Sequence, residues 1–578
     1  MSRVEDLVLV PRPRHLEALG GTVADPVPVG APPTEVGPAG HLADAGGTVH
    51  TATTAGLPAQ GFRLTISAAT GIRIEHGDDA GLRYATQLLG QVRGQSPDGR
   101  LPALHVEDHP DIPTRGLMLD VSRDRVPTRA TLARLVEIAA LARLNQLQLY
   151  IEHTFTYPGH DEVWAGASPL TPDDVAWLDD LCAAQGIELV ANQNCFGHMG
   201  RWLAHDRYRD RAECPDGWEP IPGLRLPPSV LAPTAENAAF TLGLLGELLP
   251  AFRSRAVHIG GDEPFELGRG ASRAAVEARG LGPVYVEHLR RLADPLLAEG
   301  RQVQVWADVL RRHPQQARDL PEGIVPVAWC YEAPPPGGRP LDLPEPVVQL
   351  MAAFGTGPEA FSGFAPQVAP LAKAGVPFWV APGTSSWCSL VGRIDNARAN
   401  LLDAALVGRA HDTEGYLVTD WGDGGHHQPP AAASDRWSWA GRWPGEPTPT
   451  TTWTWAPSCP TTSSATPPAG WPPPSTPWAG SGPAPANGPS TAAPSPPPSS
   501  RAWSTWCSAP PTGTGSGTCS APSRTPWPRW PAPGRPAPTR ATWWPRSARP
   551  PAWPATGPGA CSAPRGPAPT TCETTWPS

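Results

Sequence analysis

Asp262 and Glu263 are adjacent carboxylates that close a short apolar run, Ala256-Val257-His258-Ile259, through the pair Gly260-Gly261. Neighbouring side chains on an extended strand point to opposite faces, so both acids share one pocket only where the backbone bends, and two glycines permit that bend. Two carboxyl groups in one pocket suit a reaction that needs one proton donor and one oriented anion. The competing reading is an ordinary solvated Asp-Glu turn ahead of Pro264, and the six residues alone leave both open.

What surrounds the pair decides between them. Strand candidates recur at Gly116 to Asp120, Gln148 to Glu152, Ile187 to Gln193, Ala256 to Gly260, Val303 to Asp308, Val325 to Cys330, Pro377 to Ala381 and Tyr416 to Thr419. Helical patterns lie between them, among them Thr131 to Leu144, Pro172 to Gln185, Thr234 to Leu249 and Val284 to Glu299. Apolar strands alternating with helices over residues 113–430 predict an α/β fold, a (β/α)8 TIM barrel whose pocket forms at the C-terminal strand ends. A doubly wound open sheet is the alternative architecture. In the barrel the acid pair follows strand four. The same rim is expected to collect Arg115, Asp120 and Arg123 around strand one, Glu152 and His153 at strand two and Asn194 and His198 at strand three. Strands five to eight add Trp306 and Asp308, Trp329, Trp387, and then Trp421 and Asp423. Tryptophans at successive strand ends offer apolar walls to the faces of a sugar ring, while Arg, Asp and Glu bind its hydroxyls. Each also has a plainer reading, Trp306 or Trp329 as core packing and Arg115 as an interlayer salt bridge. His258, inside its strand, reads as barrel packing.

Before the barrel, residues 1–112 form an N-terminal region whose ordered part is expected at about 60–112. Alternation at Phe62, Leu64 and Ile66 and again at Ile72 to Glu75, helical spacing from Ala80 to Val92, and Leu104-His105-Val106 predict a small α+β domain. Residues 1 to about 60 carry no clear pattern.

After the barrel the composition breaks. Of 78 prolines, 36 fall in the last 148 residues, as do 15 of 24 tryptophans, and that stretch contains no lysine. Proline at this density blocks helices and sheet ladders, yet disordered linkers are poor in tryptophan. Residues 431–578 therefore read as a low-complexity tail produced by a shift of reading frame near Gln428 to Asp435, with a real Pro/Thr/Ser linker as the alternative. Sequencing the DNA across this junction distinguishes them, since an intact second frame completing the domain is expected only for the former. A frame lost here would remove the helix that covers the first and eighth strands.

The net charge of -9, without a basic block, argues against a nucleic-acid partner. No signal peptide or transmembrane run is found, which makes a cytoplasmic location the expectation. The five cysteines before the tail show neither zinc-like nor redox-pair spacing, and the histidines lack a His-Glu-x-x-His pattern, so neither metal nor cofactor is expected.

The motif His258-Ile259-Gly260-Gly261-Asp262-Glu263 resembles the active-site motif of glycoside hydrolase family 20, the β-N-acetylhexosaminidases, and Arg115-Gly116-Leu117-Met118-Leu119-Asp120-Val121-Ser122-Arg123 resembles that family's first barrel strand. The resemblance covers roughly residues 60 to 428. It implies a retaining exo-β-N-acetylhexosaminidase that removes terminal β-linked N-acetylglucosamine or N-acetylgalactosamine from a small glycoside or oligosaccharide, with the substrate's own acetamido oxygen as nucleophile. By the match, Glu263 is the acid/base and Asp262 orients the acetamido group. Arg115 resembles the arginine that grips the outer hydroxyls, and Trp421 and Asp423 the final-strand tryptophan and its acidic partner. Trp306, Trp329 and Trp387 then enclose the sugar, with Glu152 and His198 beside it. The chain departs from the family pattern at Glu152-His153-Thr154, at Trp421-Gly422-Asp423 where many relatives carry Trp-Gly-Glu, and in showing no tyrosine for the acetamido oxygen after strand seven. A non-catalytic carbohydrate-binding barrel or an inactive truncated hydrolase is the contrasting expectation.

Overall fold

A computed structural model describes residues 3–26, 49–338 and 341–440. The expected tail beyond residue 440 lies outside the described residues.

The N-terminal domain is a five-stranded sheet backed by one helix. Its elements are β1 (His15–Ala24), β2 (Val49–Thr53), β3 (Phe62–Ser67), β4 (Gly71–His76), α1 (Asp79–Gly94) and β5 (Arg100–Asp108), and the strand order is β1-β5-β3-β4-β2. Strand β3 alternates buried and half-buried residues, which turns Phe62, Leu64 and Ile66 toward Leu82, Ala85, Leu88 and Leu89 of α1. Asp78 starts that helix by accepting the Gly81 N–H at 2.8 Å. The expectation that residues 1 to 60 hold no placeable element is corrected by β1, which pairs antiparallel with β5. β1 is an edge strand with no fully buried residue, so it lacks the apolar alternation that marks β3.

The barrel begins at β6 (Thr114–Asp120) and continues through α2 (Arg129–Leu141), β7 (Gln146–Ile151), α3 (Pro172–Ala184) and β8 (Glu188–Gln193). A hairpin, β9 (Trp218–Ile221) and β10 (Leu224–Leu226), precedes α4 (Ala235–Leu248) and β11 (Ala256–His258). Then follow α5 (Leu281–Ala298), β12 (Gln302–Trp306), β13 (Ile324–Trp329), α6 (Phe364–Lys373), β14 (Trp379–Ala381), α7 (Ile394–Ala410) and β15 (Gly415–Asp420). Eight parallel strands close in the order β11-β12-β13-β14-β15-β6-β7-β8. Helix starts follow local chemistry: Thr171 and Asp174 form a capping box with Pro172 in the first turn of α3, and Thr128 and Thr234 cap α2 and α4.

Two cores result. Leu147, Leu149 and Ile151 of β7 face outward into the layer between strands and helices. Gln146, Gln148 and Tyr150 alternate with them and face inward, where Gln148 donates to Gln304 at 2.7 Å and accepts from Asn192 at 3.0 Å. Above this polar floor the interior is aromatic and apolar, with Met118, Tyr150, Trp306, Val327, Trp379, Leu417 and Trp421.

A final helix, α8 (Ala431–Ala440), packs against α2 and α7 and buries Ala433 and Arg436. These ten residues, which the change of composition assigns to the low-complexity tail, are instead helical. Among the described residues no helix is long and apolar enough to cross a membrane.

Candidate active site

The turn after β11 is held from several sides. Gly260 and Gly261 adopt φ of 72° and 92°, and Glu263, at φ 47°, also lies in the left-handed region. A β-carbon at Gly260 would fall 1.9 Å from Asn194 Oδ1, so glycine is required both for the backbone and for the space. The Trp306 N–H donates to the Gly260 carbonyl at 3.0 Å, and Tyr285 Oη–H donates to the Gly261 carbonyl at 2.7 Å. Asp308 accepts the Glu263 N–H at 3.1 Å. These contacts fix the bend that sends both acids to one side.

His198 is the group between them. Its Nε2 lies 3.0 Å from Asp262 Oδ2 and 3.6 Å from Glu263 Oε2. Burial favours the neutral ring, but the charge and hydrogen bond of Asp262 outweigh it and hold His198 up at about 9. Burial likewise pulls Asp262 upward, and the same pairing with His198 reverses the sign and leaves its carboxyl below the ordinary value. Glu263 goes the other way, pushed up to about 8: burial is the largest cause, His198 opposes it, and the charges of Asp262, Asp308 and Asp423 add to the rise. Two neighbouring carboxyls thus separate into an anion and an acid. Asp262 Oδ1 is buried and has no hydrogen-bond partner among the described residues.

A second cluster lies beside the pair. Arg123 Nη1 is 3.1 Å from Asp120 Oδ2, its Nη2 is 3.2 Å from Glu152 Oε1, and its Nε is 3.7 Å from Asp423 Oδ1. Its guanidinium sits over Tyr150 at 4.8 Å and Trp421 at 5.2 Å. Tyr150 Oη–H donates to Glu152 at 3.0 Å, and Asn194 donates to Tyr150 Oη at 2.6 Å.

Aromatic rings complete the wall. Trp306 is fully buried and packs on His258 at 4.2 Å and Trp421 at 6.0 Å. His258 Nδ1 accepts the Gly260 N–H, and burial pushes this ring down to about 3, so it packs as a neutral imidazole. Trp329 stacks on Tyr331 at 5.2 Å with an interplanar angle of 15°, and Trp387 meets Tyr331 edge-on at 5.2 Å.

Asp262, Glu263, Glu152, His198, Trp306, Trp329, Trp387, Trp421 and Asp423 therefore gather at the C-terminal end of the barrel. Arg115 does not. It stands at the opposite, N-terminal end of β6, where its guanidinium donates to the carbonyls of Ile112, Pro113 and Arg143 and to Gln60 and Tyr84 of the small domain. The assignment of Arg115 to the sugar's hydroxyls is corrected accordingly, and Arg123, just beyond the other end of the strand, occupies the rim. Strand polarity carried that signal, because in a parallel barrel residue 115 enters the strand and residue 123 follows it. Tyr331 was missed as well, although its spacing two residues beyond Trp329 puts it on the same face.

Residues 113–333 match the profile of glycosyl hydrolase family 20, catalytic domain, and residues 30–109 that of glycosyl hydrolase family 20, domain 2. A beta-hexosaminidase of Akkermansia muciniphila is 28% identical over 238 residues, 36% of this chain and 47% of that protein. A beta-N-acetylhexosaminidase of Cellulomonas fimi is 28% identical over 274 residues, 43% of this chain and 54% of that protein. The chain thus spans about half the length of these curated relatives. The solved chitobiase of Flavobacterium johnsoniae shares the fold with a TM-score of 0.56 at 15% identity, covering 77% of this chain and 70% of that one.

Proposed function

Because the chain belongs to glycosyl hydrolase family 20, we propose that it is a retaining exo-β-N-acetylhexosaminidase that releases terminal β-linked N-acetylglucosamine or N-acetylgalactosamine. The observation that carries this reading is the geometry of the acid pair, with His198 3.0 Å from Asp262 and 3.6 Å from Glu263 and an open acceptor on Asp262, an arrangement that pushes the two carboxyls in opposite directions.

A sugar seated against Trp421, which Trp306 backs from below, brings its C1 to the acid pair. Asp262 Oδ1 accepts the acetamido N–H, which turns the acetamido oxygen toward C1 and stabilises the positive charge that grows on the amide as that oxygen attacks. Glu263, protonated at neutral pH, gives its proton to the glycosidic oxygen as the C1–O bond breaks, and the aglycone leaves as an alcohol. The ring is then an oxazolinium ion, countered by the Asp262 anion. Glu263, now a carboxylate, takes a proton from water as the water oxygen bonds to C1 and the oxazoline ring opens. Two inversions at C1 give net retention, and no covalent enzyme adduct is needed. Arg123, Glu152 and Asp423 bind the outer hydroxyls, His198 keeps Asp262 anionic and oriented, and Trp329, Tyr331 and Trp387 enclose the acetamido side.

The test is release of the aryl alcohol from aryl β-N-acetylglucosaminide and β-N-acetylgalactosaminide by the full chain. Turnover of at least one, with no comparable turnover of the plain β-glucoside or β-galactoside, supports the reading. Folded protein inactive on both N-acetyl sugars overturns it in favour of a non-catalytic binding barrel.

A further inference from the structure

Helix α7 carries two asparagines one turn apart, Asn396 and Asn400, which the reaction scheme leaves unused. Spacing of four residues sets both amides on one helix face. Asn396 Nδ2 donates to the Tyr331 carbonyl at 2.8 Å and to Ser385 Oγ at 2.9 Å, while its Oδ1 accepts the Ala333 N–H at 3.0 Å. Asn400, fully buried, donates to the carbonyls of Cys330 at 3.1 Å and Glu332 at 3.2 Å and accepts the Gly383 N–H at 3.0 Å. Two amides thus grip every residue from 330 to 333, and with them Gly383 and Ser385 of the next strand's loop.

Those two loops carry the rings at one edge of the pocket. Tyr331 is in the middle of the first, and Trp387 lies two residues beyond Ser385. The loops approach so closely that a β-carbon on Gly383 would meet the Trp387 ring at 2.7 Å and the Tyr331 ring at 2.9 Å. A pair of Arg393 with Glu332 joins the same loops from the solvent side. Each asparagine therefore bridges a β13 loop and a β14 loop, and a backbone shift in either is transmitted to the ring edge. Only an uncharged amide offers both a donor pair and an acceptor at these distances. Aspartate lacks the donors, and alanine lacks all three groups.

We infer that Asn396 and Asn400 are positioning residues that hold Tyr331 and Trp387 in register with Asp262 and so set the size of the space left for the substrate's N-acyl group. This inference rests on the N-acetylhexosaminidase reading. It makes the N-acyl end, rather than the aglycone, the part of the substrate whose recognition these asparagines control.

The experiment is a double-mutant cycle of Asn396→Ala and Tyr331→Ala in the full chain, assayed on aryl β-N-acetyl and β-N-propionyl hexosaminides, with melting followed in parallel. Asn396, half-buried in the first turn of α7, is the member of the pair to replace, and the isosteric Asn396→Asp serves as a second variant that preserves volume. Loss of one such hydrogen-bonded brace is expected to lower kcat/KM on the N-acetyl substrate about tenfold, mostly in kcat. The ratio of N-acetyl to N-propionyl turnover is expected to shift by about fivefold toward propionyl, and Asn396→Asp to behave like Asn396→Ala. In the Tyr331→Ala background, where no ring is left to position, the effect of Asn396→Ala on kcat/KM is expected to shrink to about twofold or less, the mark of Asn396 acting through the Tyr331 ring. Equal losses on both substrates, full multiplication of the two mutational effects, or rescue by aspartate overturns the positioning role while leaving the hexosaminidase reading intact. A folded wild-type chain inactive on both substrates removes the two readings together.

Discussion

Two arginines flank the same strand, β6, and their surroundings differ in kind. Arg115, at the N-terminal end, donates to three backbone carbonyls and to the neutral side chains of Gln60 and Tyr84, and burial lowers its pKa. Arg123, beyond the C-terminal end, faces the carboxylates of Asp120, Glu152 and Asp423. Against the burial penalty, Glu152 and its neighbours hold its pKa well above the ordinary value. The first arrangement saturates a guanidinium with groups that belong to the fold and ties the small domain to the barrel. The second concentrates charge at an open rim, where carboxylates can turn to a ligand's hydroxyls. Residue type is the same and the two lie at opposite ends of one strand, so the identity of the acceptors, neutral groups of the fold for Arg115 and carboxylates for Arg123, is what separates them.

Substitutions at the two ends test this contrast. The largest effect is expected from Glu263→Gln, which removes the acid at the Arg123 end: kcat should fall by about 10²–10⁴-fold with melting little changed, as initial rates and calorimetry would record. Arg123→Ala follows, with kcat/KM expected to drop by about 10–100-fold as charge-assisted contacts worth about 1.5–3 kcal/mol are lost. If instead Arg123→Ala only lowered the melting temperature, the two ends would be alike. Arg115→Ala is expected to do the reverse, costing about 2–4 kcal/mol of stability in denaturant melts because several buried carbonyls lose their donor, with kcat/KM of the folded fraction changed by no more than about twofold.

A pH response tests the same division without a substitution. In the proposed reaction Glu263 must carry its proton, and its raised value keeps the proton on until about 8, so kcat/KM should decline as pH rises through that point. Asp262 must be ionised, and its depressed value places the acid limb below the ordinary carboxylate range. For stability the signs also follow. The raised His198 contributes from below its ordinary value and loses that contribution as pH rises through about 9, whereas the Asp262 contribution is lost as pH falls through its depressed value. A basic limb in kcat/KM lying near an ordinary glutamate value would contradict the assignment of Glu263 as the acid.

Much of this architecture was legible in the chain. All eight barrel strands declare themselves in the sequence because one face of each packs apolar residues against the helices, as Leu147, Leu149 and Ile151 do in β7. Strand β1 left no trace, since an edge strand half open to water needs no apolar alternation. Helix α8 was hidden by the composition change that begins at the same residues, and its burial of Ala433 and Arg436 depends on α2 and α7 being present. Tyr331 was concealed by its place beyond a strand end, where a two-residue period is easily taken for loop.

By itself the sequence determined that two acids end the fourth apolar strand of a barrel, because strand and helix periods and the glycine pair are local properties of the chain. It also placed tryptophans at strand ends, for the same reason. Tertiary structure alone set the carboxyl of Asp262 below and that of Glu263 above the ordinary value, since that division comes from His198, 64 residues away and 3.0 Å from Asp262, and from burial that no local pattern encodes. It decided as well which arginine faces the rim, because a guanidinium's partners are gathered from strands and loops that meet only when the barrel closes.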